Sequence, residues 1–231
     1  MLSKKLIPFI CFLIAESILY YFILTAGGQT LVITSYTSIV LCFLFALQGI
    51  KTRPLMVAGL LCTVGADFCL VICSPIEQLW GMVFFLGAQT LYAIQLHKQQ
   101  KNNIILLIRI ILTVVAALVA VLVLKENLDA LAMVSVCYYA NLIMNMVAAF
   151  TQWHKNKMLP IGFVLFILCD TIIGLQVAAG GYLPIAEGSM LYSLIFNGFN
   201  TSWMFYLPSQ VLIALSCLMK GTRDEKKKET C

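Results

Sequence analysis

Charge is what this chain has least of. Lysine and arginine number 15 and aspartate and glutamate 10 in 231 residues. That 11% compares with about a quarter in soluble domains. With 61% hydrophobic residues and a mean hydropathy of +0.96, no stretch is left for a soluble domain of any size. Histidine occurs only as His97 and His154. Nine cysteines are present, but none forms a C-x-x-C pair and no histidine lies near them at ligand spacing. They read as small buried apolar residues, which excludes a zinc motif and a disulfide framework. The composition calls for no metal and no cofactor.

What is present is a succession of apolar segments, each long enough to cross a bilayer at about 20 residues per span. Eight are legible: 6–25, 31–50, 54–74, 79–97, 103–124, 129–150, 159–180 and 199–219. Their connections alternate in charge. Lys4, Lys5, Lys51, Arg53, Lys98, Lys101, Lys155, Lys157, Lys220, Arg223 and Lys226 to Lys228 fall on one side, 13 of the 15 basic residues. The other side holds Glu77, Glu187 and the Lys125, Glu126 and Asp129 cluster. The positive-inside rule then places both termini in the cytoplasm. Arg109, just inside the fifth span, is expected to snorkel back to that face. The net charge of +5 is thus a matter of topology, not nucleic-acid binding.

The expected fold is an all-α transmembrane bundle of eight helices over residues 1–219, followed by a basic cytoplasmic tail, 220–231. It makes the chain an integral multi-pass membrane protein, of the plasma membrane if bacterial. The first segment is expected to be a retained helix rather than a cleaved signal. Its core exceeds that of a signal peptide, it carries Glu16, and its loss would spoil the even span count.

Function must lie where polar side chains gather inside the membrane. Asp67 and Asp170 each sit mid-span, where a charge costs on the order of 3 kcal/mol on insertion scales. Both should face inward, towards one another and towards water. Alternating topology puts Asp67 about 20 Å and Asp170 about 17 Å from the cytoplasmic face at helical rise. Glu16, Gln89, Tyr138, Asn141, Tyr206 and Gln210 fall in the same band. Gln89 and Tyr92 are spaced i,i+3; Tyr206 and Gln210 i,i+4; Tyr138, Asn141 and Asn145 i, i+3, i+7; Thr63 and Asp67 i,i+4. Each set shares one helix face. One polar cavity lined by spans one, three, four, six, seven and eight is expected, with spans two and five peripheral. Against this stands the plainer reading that Asn, Gln and Thr in membrane helices often only bind neighbouring helices. Trp80, Trp153 and Trp203 read as interfacial anchors. Pro208 should kink the last span and free a carbonyl. Residues 181–198, with Tyr182, Pro184 and the Leu191–Phe196 run, are expected to form a short helix at the outer surface.

Four local patterns resemble one family. They are Val64-Gly65-Ala66-Asp67-Phe68-Cys69-Leu70, Phe84-Phe85-Leu86-Gly87-Ala88-Gln89-Thr90-Leu91-Tyr92, Leu165-Phe166-Ile167-Leu168-Cys169-Asp170, and Phe205-Tyr206-Leu207-Pro208-Ser209-Gln210. In order, spacing and span number they are similar to the YhhN-like lysoplasmalogenases, which are eight-span membrane proteins. The chain departs from that pattern in carrying Gln89 where the family has His, Ala66 for Gly and Cys169 for Ser, with Pro208 inside the last motif. Gln89 can hydrogen-bond but cannot shuttle a proton.

The resemblance implies a lysophospholipid substrate in the bilayer and hydrolysis of the vinyl-ether bond of a lysoplasmalogen, giving a fatty aldehyde and a glycerophospho head group. Vinyl-ether cleavage needs an acid to protonate carbon and a carboxylate to stabilise the cation and activate water. Asp67 and Asp170 suit that division, because two like charges held close in a poorly solvated site share a proton. Gln89, Tyr92, Tyr138, Asn141, Tyr206, Gln210 and Glu16 are the candidates for positioning the substrate, whose head group is expected towards the outer face. Paired intramembrane acids also serve carriers of small lipids or cations. No internal repeat or broken-helix pair favours that alternative. A hydrolase of different substrate on the same scaffold is the other.

Overall fold

The computed structural model describes residues 3–73, 77–125, 128–179, 186, 188–196 and 200–219. Glu126, Tyr182, Pro184, Glu187 and the basic tail from Lys220 lie outside the described residues. Among those described, the chain is all-helical. The helices are α1 (Ser3–Thr25), α2 (Gly28–Ala46), α3 (Pro54–Asp67), α4 (Gln78–Gln100), α5 (Asn103–Leu124), α6 (Ala130–Phe150), α7 (Met158–Ala179), α8 (Met190–Phe196) and α9 (Thr201–Cys217). A 3-10 turn, Leu47–Gly49, extends α2.

Among the described residues, seven helices are long and apolar enough to cross a membrane. The expected eighth span is α9, whose 17 residues make it shorter than these seven. Its interior is polar by membrane standards, with Tyr206, Ser209, Gln210 and Ser216 all buried. Those residues hold it in the centre of the bundle, where it packs on α7, α2, α1 and α3. The run 181–198 contains one described helix, the seven-residue α8, whose Ile195 carbonyl accepts from Gln176 Nε2 on α7 at 2.9 Å.

Helices α3 and α4 pack closely because glycines face rings and branched chains. A Cβ on Gly59 would lie 2.2 Å from the Tyr92 ring, and one on Gly81 2.5 Å from Leu70. Small residues permit such close packing where no hydrophobic force separates helix from lipid. Immediately after Asp67 the helix widens into a π turn over Phe68–Ile72, closed by Cys73 N–H donating to the Phe68 carbonyl at 3.1 Å. The sequence reading had no signal for it. Such widened turns recur at functional sites.

The fifth span is peripheral as expected, the least buried of the seven. The second is not. Ser35, Ser38, Ile39 and Cys42 of α2 are buried, and the helix packs on α1, α3 and α9. Its small hydroxyl and thiol residues passed for an ordinary apolar span because each is compatible with lipid. Arg53, in the connection before α3, is buried as well, and that burial pushes its guanidinium below the ordinary range.

Pro208 lies inside α9 and cannot donate to the carbonyl of Met204, four residues earlier. The hydroxyl of Tyr20 on α1 donates to that carbonyl at 3.0 Å. The freed carbonyl thus joins two helices.

Candidate active site

Asp67 closes α3 and Asp170 lies in the middle of α7. Each meets a tyrosine from another helix. Tyr206 of α9 donates its hydroxyl to Asp67 Oδ2 at 2.6 Å. Tyr138 of α6 donates to Asp170 Oδ2. Asp67 is buried and Asp170 is half-buried. Hydrogen bonds to a carboxylate are the stronger kind, and in a water-poor interior each tyrosine holds its partner in one orientation.

Aromatic rings fix the distance between the two pairs. The Phe85 ring lies 5.6 Å from Tyr138, 6.3 Å from Tyr206 and 5.8 Å from Phe166. Phe166 in turn lies 5.4 Å from Tyr206 and 6.4 Å from Tyr138. Four rings from α4, α6, α7 and α9 form one packed unit with both aspartates on its hydroxyl ends. Trp203 packs edge-on against Tyr206 at 5.1 Å.

The remaining candidates make their hydrogen bonds in separate groups. Asn145 donates through Nδ2 to the side-chain and main-chain oxygens of Gln89, both at 2.8 Å. Arg109 of α5 donates to Asn141 Oδ1 at 3.0 Å and Asn145 Oδ1 at 2.8 Å. The expected snorkelling of Arg109 is therefore wrong. Its side chain is buried, because two asparagines one turn apart on α6 supply the oxygens that water would otherwise provide. Glu16 of α1 accepts from Ser38 at 2.5 Å and from the Cys42 thiol at 3.4 Å, both on α2. Tyr92 meets Thr63 at 3.5 Å. Gln210 donates to Ser209 at 3.2 Å. Gln89 Nε2 and Gln210 Oε1 are buried with no hydrogen-bond partner among the described residues.

Phe85 and Phe166 are central to the site, yet the sequence reading placed neither among the site residues. Each stands four residues from a site polar group, Gln89 or Asp170, and so shares its helix face; that spacing was the available signal. Among the described residues no group of three or more His, Cys, Asp or Glu could hold a metal ion.

A bundle of apolar helices whose two interior aspartates are each bound by a tyrosine of one aromatic cluster defines a class: multi-pass membrane proteins with acidic groups in the helix interior. The chain belongs to the YhhN family, whose model matches residues 29–217. No curated protein and no solved structure matches it.

Proposed function

We propose that the chain is a lysoplasmalogenase-type hydrolase that cleaves the vinyl-ether bond of a lysophospholipid inside the membrane. The observation that carries this reading is the pair of tyrosine-bound carboxyls, Asp67–Tyr206 and Asp170–Tyr138, set around the Phe85 and Phe166 rings in a YhhN-family chain. α9 is taken as the eighth span, with both termini cytoplasmic and residues 1–219 one membrane domain.

The reaction needs a proton donor, a proton acceptor and little water. One carboxyl of the pair, carrying the shared proton, delivers it to the β-carbon of the vinyl ether. The C=C electron pair forms the new C–H bond, and an oxygen lone pair makes the oxocarbenium ion. The other carboxylate stabilises that cation and then takes a proton from water as the water oxygen bonds to the α-carbon. The hemiacetal collapses: its hydroxyl proton passes to the glycerol oxygen, the C–O bond to glycerol breaks, and a fatty aldehyde leaves. The faces of Phe85 and Phe166 suit a transient cation. Tyr138 and Tyr206 act by holding the carboxyls, so that little reorganisation is needed as charge develops.

The test is fatty-aldehyde release from lysoplasmenyl-ethanolamine and lysoplasmenyl-choline by the detergent-purified protein. Aldehyde from the wild type and none from the D67N/D170N double variant is expected. A folded wild type that releases no aldehyde from either lipid rejects the proposal.

A further inference from the structure

One feature that the proposed chemistry does not use is a cleft of about 220 Å³ between α4 and α5, floored by α6. The two helices are joined by a tight turn in which Lys101 adopts φ 51°. Beyond it they have little contact with one another, although both pack on α6. The cleft begins at His97, Gln100 and Asn102 near the turn and reaches Arg109 and Asn141 at depth. Arg109 is 8% exposed and has no carboxylate partner among the described residues. Its Nη1 donates to Asn141 and its Nη2 to Asn145, while Nε carries no protein acceptor. A guanidinium has five N–H donors, and its Nε–Nη2 edge matches two oxygens of a phosphate. No acidic residue lines the cleft, and Lys98 and Lys101, next in sequence to its lining residues His97, Gln100 and Asn102, are exposed.

We propose that this cleft seats the phosphate of a bilayer phospholipid from the leaflet on the side of Lys98 and Lys101, with Arg109 as its counter-charge. A buried cation solvated only by neutral amides is costly, and an anion that enters with its own hydrocarbon chains resolves that cost inside a membrane. The cleft has room for a phosphate and its glycerol. The acyl chains lie outside it, along the exposed apolar residues at its rim, Ile94 of α4 and Leu106 of α5. This site is independent of the hydrolase reading, since among the described residues its lining includes neither Tyr206 nor Tyr138, the tyrosines that bind Asp67 and Asp170.

The experiment is native mass spectrometry of the detergent-purified protein with phosphatidylglycerol, with diacylglycerol of the same chains, and with inorganic phosphate as competitor. One phosphatidylglycerol adduct is expected, at least tenfold more abundant than the diacylglycerol adduct and undiminished by millimolar phosphate. Arg109→Gln should remove it. Ala93→Trp, which fills the cleft and leaves Arg109 and its asparagines in place, should remove it too while the thermal midpoint holds. Equal adducts with diacylglycerol, displacement by inorganic phosphate, or an adduct that survives Ala93→Trp would each overturn the proposal.

Discussion

The hydroxyl of Tyr206 donates to Asp67 across 139 residues of sequence, at 2.6 Å. That bond ties α9 to the end of α3, where the π turn begins. Its counterpart, Tyr138 to Asp170, ties α6 to α7. The helices that carry the proposed chemistry are thus held by the same bonds that orient its carboxyls, and the two functions of each tyrosine can be separated by experiment.

Replacing either aspartate by asparagine keeps the shape and removes the proton. D67N and D170N should each lower turnover by about 10²–10⁴-fold, the usual worth of a general acid or base. Both should insert and purify at wild-type yield, as judged by size-exclusion profile.

Tyr206→Phe and Tyr138→Phe should lower kcat by about tenfold or more, equivalent to about 1.4 kcal/mol, with KM little changed. The hydroxyls act on the carboxyls and not on the lipid. In the D67N background, Tyr206→Phe should cost much less than in the wild type, since interacting residues do not add.

The Tyr20 bond to Met204 gives a stability test free of catalysis. Tyr20→Phe should cost about 1 kcal/mol by leaving a part-buried carbonyl unpaired. Pro208→Ala restores the main-chain donor to that carbonyl, so Tyr20→Phe should be nearly neutral in a P208A background. The measurement is a double-mutant cycle on the thermal midpoint in detergent.

Gly59→Ala should be destabilising by about 1–3 kcal/mol, because its Cβ would stand 2.2 Å from the Tyr92 ring. Gly27→Ala, with nothing within 4 Å, serves as the control. Thermal melts of both variants check the difference.

Hydropathy disclosed the seven long apolar helices to within a few residues, because bilayer thickness imposes segment length directly. Asp67 and Asp170 were legible for the same reason: a carboxyl mid-span stands out against apolar neighbours. Helix periodicity placed Tyr138 and Tyr206 on the right faces but could not say which aspartate each would meet. Pairing depends on helix neighbours, and periodicity is silent about those. Arg109 was misread because its solvation comes from Asn141 and Asn145, 32 and 36 residues later. The buried face of α2 was missed because Ser35, Ser38 and Cys42 are small enough to pass for lipid-facing residues. The π turn after Asp67 left no mark in composition.

The most direct test of the central claim is to run the reaction in deuterium oxide and read the aldehyde by mass spectrometry. Proton delivery to carbon by the Asp67 and Asp170 pair predicts one deuterium on the carbon next to the aldehyde. It also predicts no product above background from the D67N/D170N protein. Aldehyde without that deuterium, or undiminished release by the double variant, would contradict the account.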